Sequence, residues 1–432
     1  MNYVSTRGQA PALGLGAALA AGLAPDGGLY VPQALPALRI EDFDECDDLP
    51  AVATRLLRPF FDGDPLSDAL EAICRDALDV PAPLHAIAPN TALLELFHGP
   101  TAAFKDFGAR FLAACLARLR TPDAPTLSVL VATSGDTGAA VAAAFHRRPG
   151  FRVVILYPDG RVSPRQAHQL GCFGDNVTAL RVAGSFDDCQ ALVKRALNDA
   201  ELKATTPLTS ANSISLGRLL PQMSYYAHAA LAHRRTRAAP LNVVIPTGNL
   251  GNALGCILAR ALGLPIGDIA LATNANRVLP EFFAGADYAA RASVATLANA
   301  MDVGDPSNFE RLRWLYPDAA VLRAAFRAES VDDEAIRATL RASRERYGTQ
   351  VCPHTATALR VLEHLRAGGD ARDYAVAATA HPAKFDEVIE PLIGTAVDVP
   401  PALAALLLRP SHAEPLAADY AALRRRLATP SA

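Results

Sequence analysis

Four short apolar runs, at 127–133, 151–157, 241–245 and 374–378, carry no polar face. Each passes into a turn, and each turn leads into a stretch of helical periodicity. Continuous apolar runs that feed helices predict parallel strands covered on both sides, and hence an α/β fold. The helices are expected from about residues 139, 164 and 383, with another running through Leu262. From Asp106 onward Phe107, Phe111, Leu112, Cys115, Leu116 and Leu119 recur at spacings of three and four, which predicts one apolar helix face. The same periodicity marks 51–61 and 66–78 near the start, and 331–347 later on. Between the third and fourth runs, 275–350 reads as a mainly helical insertion. The turn at 25–28 leads into a short edge strand near 29–32. The apolar stretch 13–24 is broken by Gly14, Gly16 and Gly22 and preceded only by Arg7, so it is expected to be structure inside the mature protein, not a leader or a span.

Length adds that one core is not enough: 432 residues predict two or three subdomains, with a boundary at Val80-Pro81-Ala82-Pro83. Charge removes two classes of partner, because a net −3 offers no footprint for nucleic acid or an anionic membrane. The seven cysteines are scattered without a C-x-x-C pair, which implies neither a disulfide framework nor a zinc cage. A reducing cytoplasm is expected. No H-E-x-x-H occurs, and Cys352-Pro353-His354 alone makes no metal site.

The chemistry begins at Lys105, which stands between Phe104 and Phe107 at the mouth of the helix. Apolar neighbours and the positive end of a helix dipole both disfavour an ammonium, so its pKa should fall. A free amine of that kind suits a Schiff base with a carbonyl. Thr247–Asn252 opens a helix directly after a strand, with Gly248 and Gly251 letting backbone amides approach a ligand; a phosphate site and a mere tight turn both explain it. Ser134-Gly135-Asp136-Thr137-Gly138 could hold a carboxylate, or could simply cap a helix with Ser134 or Asp136. Asn212, Ser213 and Arg218 supply the donors a phosphate wants, unless they form a surface turn with a solvated arginine.

In this order the motifs resemble the threonine synthases, pyridoxal-phosphate enzymes of fold type II. The likeness runs from Asp26-Gly27-Gly28-Leu29-Tyr30-Val31-Pro32 through His98-Gly99-Pro100-Thr101-Ala102-Ala103-Phe104-Lys105-Asp106-Phe107 and Ser134-Gly135-Asp136-Thr137-Gly138-Ala139-Ala140 to Ser210-Ala211-Asn212-Ser213 and Ala380-His381-Pro382-Ala383-Lys384-Phe385. It implies an α/β fold with large and small parallel-sheet domains and an N-terminal α+β subdomain. The divisions expected are 1–90 for that subdomain, 91–225 for the lysine segment and small domain, and 226–432 for the large domain with its insertion at 275–350. It implies pyridoxal 5'-phosphate as cofactor, bound to Lys105, with Gly248, Asn249, Leu250, Gly251 and Asn252 around its phosphate. Thr379 matches the hydroxyl facing the pyridine nitrogen, which makes a gentler electron sink than an aspartate. Asp136 matches the position near the phenolic oxygen. Ser134 and Thr137 match contacts to the substrate carboxylate, and Thr137, Asn212, Ser213 and Arg218 the pocket for the phosphate of O-phospho-L-homoserine. Where many relatives read S-G-N-F-G-D, this chain has T-G-N-L-G-N, losing an aromatic at Leu250 and a charge at Asn252 but keeping the backbone amides.

The activity so implied is γ-elimination of phosphate followed by hydration at Cβ, giving L-threonine in a monomer or homodimer. Two other readings remain at this stage. A phospholyase or dehydratase would share the lysine and release a 2-oxo acid, and a nucleotide-binding regulatory module would use the glycine turns without catalysis.

Overall fold

The computed structural model describes residues 1–428. Its larger sheet has six strands, in the order Arg327–Ser330, Ile266–Thr273, Leu241–Pro246, Tyr374–Ala378, Thr91–Glu95 and Leu84–Ala88. All neighbours are parallel except the last pair, a short antiparallel hairpin. The second sheet has five strands, all parallel, in the order Glu414–Ala417, Val177–Ala183, Phe151–Pro158, Leu127–Ala132 and Leu208–Ser210. Burial explains which strands the hydrophobic pattern reveals. Leu241–Pro246 and Tyr374–Ala378 are buried at every position, as strands covered on both faces must be. The edge strands Leu84–Ala88 and Arg327–Ser330 are half-exposed or exposed at every position and carry no such run.

The helix Lys105–Leu119 is buried along the expected face, and Phe111 meets Phe61 edge-on at 6.2 Å. That contact joins it to the N-terminal helices Leu49–Leu57 and Leu70–Leu78. Both are shorter than the periodicity suggests. The first gives way to a 3₁₀ turn at Arg58–Phe61, where Pro59 cannot continue the α-helical ladder, and the second is preceded by another at Ser67–Ala69. The apolar stretch near the start contains the helix Leu15–Ala21, held by the Gly16 amide donating to Asp64 Oδ2 at 2.8 Å. Tyr3–Ser5 and Tyr30–Pro32 pair as a small antiparallel sheet.

Two expectations change. The sheets are not contiguous in the chain, so they do not follow the divisions at 91–225 and 226–432. Thr91–Glu95 pairs with Tyr374–Ala378 in the larger sheet, and Glu414–Ala417 returns to pair with Val177–Ala183 in the smaller. The insertion is only partly helical. Val278–Phe283, Phe309–Leu315, Ala319–Ala325 and Asp333–Tyr347 are helices, but Arg327–Ser330 extends the larger sheet and 284–298 carries no regular element. Side chains hold that irregular stretch in place: Asn276 Oδ1 accepts from the Val294 amide, and Asp302 accepts from the amide and hydroxyl of Thr296.

Candidate active site

The carboxyl ends of the central strands of both sheets open onto one cleft, where ligands of parallel α/β folds bind. Two adjoining cavities occupy it, with Lys105, Ser213, Asn249 and Ala300 in the walls of both.

Lys105 is the first residue of its helix. The loop before it is stitched to the end of the strand Tyr374–Ala378. Phe104 N donates to Thr379 O at 2.8 Å, and His381 N donates to Ala102 O at 3.0 Å. Ala102 takes a left-handed conformation, φ +56°, to make this turn. Asp106 fixes the loop from the other side, accepting from Thr101 N at 2.9 Å and from Thr101 Oγ1 at 2.7 Å. Lys105 Nζ lies 4.6 Å from the centre of the Phe104 ring. Burial, and then the Arg218 guanidinium, lower its pKa to about 8 against an opposing pull from Asp136.

The inner cavity is lined by Thr247, Gly248, Asn249, Leu250, Gly251 and Asn252 together with Asp136, Arg218, His354 and Thr379. Leu250 is left-handed, φ +60°, and caps the helix Gly251–Ala261, whose first amides have no partner inside the helix. Gly248 is packed so closely that a Cβ would lie 2.7 Å from Met301 Cα. Asn249 Nδ2 donates to Ser213 Oγ at 2.6 Å, which ties the turn to the opposite wall. Asn252 turns its Oδ1 toward Tyr225 Oη, 2.6 Å, and Tyr226 Oη, 3.0 Å. Its Nδ2 is buried without a partner, as is Arg218 Nε. The orphaned Asn252 Nδ2 beside a helix start with free amides fits a phosphate monoester, which would supply the missing acceptor.

Asp136 opens the helix Asp136–Phe145 after Gly135 at φ +135°, and that glycine at the N-cap has no side chain to offer. The hydroxyl of Thr133 instead accepts from both Gly135 N and Gly138 N at 3.0 Å. Burial alone would raise the Asp136 pKa, but the Lys384 ammonium and a hydrogen bond from Gln166 outweigh it and hold the carboxyl below the usual range. Lys384 Nζ is 2.8 Å from Asp136 Oδ1, and Gln166 Nε2 donates to the same oxygen at 3.0 Å.

The outer cavity gathers Ser134, Thr137, Asn212 and Ser213. Asn212 is committed on both sides of its amide: Nδ2 donates to Ala132 O at 3.0 Å and Oδ1 accepts from Ala132 N at 3.2 Å. Arg218 is not among them. It is buried behind the inner cavity, with Nη1 donating to Ala211 O at 2.6 Å.

The motifs gave Thr133, Lys384, Gln166 and His354 no role. Lys384 falls inside the stretch 380–385, so its position was visible but its partner was not. His354 Nε2 accepts from Ala300 N at 3.1 Å, so the ring proton sits on Nδ1. Burial lowers its pKa to about 4, leaving a neutral imidazole. Among the described residues no group of three or more metal-ligating side chains occurs.

Residues 84–381 match the family described as pyridoxal-phosphate dependent enzyme, residues 2–78 match the threonine synthase N terminus, and residues 355–426 match the threonine synthase C-terminal family. The threonine synthase of Escherichia coli (strain K12) is 40% identical over 412 residues, covering 94% of this chain and 95% of that protein. A crystal structure of threonine synthase from Escherichia coli superposes with a TM-score of 0.92 at 38% identity, covering 99% of each chain. The structure of PLP-bound threonine synthase from Brucella melitensis gives 0.89 at 34% identity, again over 99% of each. Maize serine racemase, at 19% identity, a TM-score of 0.53 and 72% of this chain and 91% of its own, shares the fold. With likeness at this level from end to end, the chain belongs to the threonine synthase family of pyridoxal-phosphate-dependent enzymes.

Proposed function

We propose that this chain is a threonine synthase that converts O-phospho-L-homoserine and water to L-threonine and phosphate. The observation that carries the reading is the position of Lys105, a lysine of lowered pKa standing where an anion cradle meets a hydroxyl-lined cavity. Pyridoxal 5'-phosphate, when bound, supplies the electron sink that makes the hydrogen on the substrate's amine-bearing carbon, and then those on its neighbour, acidic and lets the γ-phosphate leave. The amides from Gly248 to Asn252 would hold its phosphate, the Thr379 hydroxyl would serve its ring nitrogen, and Asp136 would serve its phenolic oxygen, all three from the walls of the inner cavity.

Ser134 and Thr137 receive the substrate carboxylate, and they lie in the outer cavity with Lys105. Thr137, Asn212, Ser213 and Arg218 receive the substrate phosphate. Ser213 belongs to both cavities, so an anion held there meets Asn212 from one side and Arg218 from the other. Asn212 acts mainly by bracing the strand end at Ala132, which fixes the neighbouring hydroxyls. Lys105 Nζ takes the proton from Cα, and moves protons at Cβ and Cγ in turn. A pKa of about 8 lets one amine serve as base and acid near neutrality. Ser213 and Arg218 keep the departing phosphate in place long enough to orient the water that adds at Cβ.

No helix among the described residues is long and apolar enough to cross a membrane, and all seven cysteines are buried free thiols, which supports a reducing cytoplasm as the working compartment. Incubation with O-phospho-L-homoserine, with phosphate, threonine and 2-oxobutyrate measured together, tests the activity. Equimolar phosphate and threonine are expected, and 2-oxobutyrate without threonine would refute it.

A further inference from the structure

Lys384 is a second lysine beside the cofactor cavity, fully buried where Lys105 is half-buried, and the chemistry above gives it nothing to do. It lies in the turn Pro382–Phe385, which follows the strand Tyr374–Ala378 of the larger sheet. Its side chain is wholly buried, paired with Asp136 Oδ1 at 2.8 Å and donating to Thr101 O at 2.8 Å. Asp136 follows the strand Leu127–Ala132 of the smaller sheet, so the ion pair spans the loops of both sheets. The smaller sheet's side also fixes the backbone of the turn: Ser163 Oγ donates to Lys384 O at 3.0 Å and Arg165 Nη1 to Ala383 O at 2.6 Å. Thr101 in turn holds Asp106, the residue after Lys105. A continuous path thus runs from Asp136 through Lys384 and Thr101 to the start of the reactive helix.

Cohesion alone does not explain the pair, because buried ion pairs are costly to desolvate and apolar replacements are often as stable. The charge pattern around the cavity does. Lys105 is faced by Arg218 and Asp136, with neutral His354 nearby, and Lys384 is faced by Asp136, Asp106 and His354. Without Lys384, the pull of the Asp136 carboxylate on Lys105 across the cavity would go uncompensated.

The geometry points to Lys384 as a positioning residue that offsets the charge of Asp136 from behind and so leaves Lys105 Nζ free to exchange protons. This rests on Lys105 as the point of cofactor attachment, which peptide mapping after borohydride reduction checks separately. The test is a pH titration of the visible absorbance of the cofactor-loaded protein, in Lys384→Met, Asp136→Asn and the double variant. In Lys384→Met the unscreened carboxylate holds the proton on the Lys105 nitrogen about tenfold more tightly, so the transition rises by roughly one pH unit. In Asp136→Asn the unopposed Lys384 lowers it, and the double variant returns toward the wild-type value. A merely structural lysine would lower the melting temperature and leave the transition in place. An unmoved or lowered transition in Lys384→Met overturns the inference. If that variant does not fold, an unmoved or raised transition in Asp136→Asn overturns it as well.

Discussion

Phe104 N donates to Thr379 O at 2.8 Å. The residue before Lys105 is therefore tied to the residue that follows the strand Tyr374–Ala378 of the larger sheet and lines the inner cavity. Because strand Tyr374–Ala378 is buried at every position, the loop carrying Lys105 inherits its rigidity from the core and not from the surface. That arrangement lets a lysine on a loop-to-helix junction act with the precision of a strand residue.

The lowered Lys105 pKa is directly measurable in cofactor-free protein. Acylation of its amine at a series of pH values should show a midpoint near 8, where an ordinary lysine titrates near about 10.4. A midpoint above 10 would remove the physical basis for its role as a proton carrier.

Gly248→Ala places a Cβ 2.7 Å from Met301 Cα, a backbone atom that cannot step aside cheaply. Cofactor affinity, followed by absorbance during reconstitution, should fall by at least about tenfold because the amide turn must shift. Unchanged affinity would show that the turn does not grip the phosphate.

Arg218→Met should raise the KM for O-phospho-L-homoserine on the order of a hundredfold, the scale of one lost hydrogen bond to a charged group. Visible absorbance from bound cofactor should persist. Equal loss of both would move the guanidinium from the substrate to the cofactor phosphate, with which it shares the inner cavity.

His354 is buried and His381 half-buried, and desolvation lowers the pKa of each to about 4. The unfolded chain binds protons at these rings near pH 6.5 and the folded chain does not. Each therefore stabilises the fold above that pH and loses its contribution as pH falls toward 4. The melting temperature of His354→Gln should fall less steeply than wild type between pH 6.5 and 4.5. Parallel curves would mean that His354 is already charged in the folded protein.

Much of this was legible in the chain because the chemistry sits where periodicity breaks. The apolar runs at 241–245 and 374–378 identify themselves, since a strand buried on both faces can carry nothing polar. Lys105 stood out as a charge among aromatics, and Gly248 and Gly251 as glycines at a helix start. Edge strands such as Leu84–Ala88 gave no comparable signal, and Ile266–Thr273 was masked by Gly267 and Asp268 near its start. Pairings between distant residues were out of reach altogether. Nothing local in the chain announces that Lys384 meets Asp136 or that His354 meets Ala300, because those contacts exist only once strands from two sheets end at one cleft. The same limit applied to Asn212, whose amide types suggested a ligand while its geometry braces Ala132.

Two lysines, Lys105 and the fully buried Lys384, stand at this cleft, and only Lys105 is expected to carry the cofactor. Borohydride reduction of the loaded protein, followed by digestion and mass spectrometry, reads this out in a single spectrum. A pyridoxyl group on the peptide containing Lys105, and on no other, is the predicted result. The same mass increment on the peptide containing Lys384, or on none, would contradict the account.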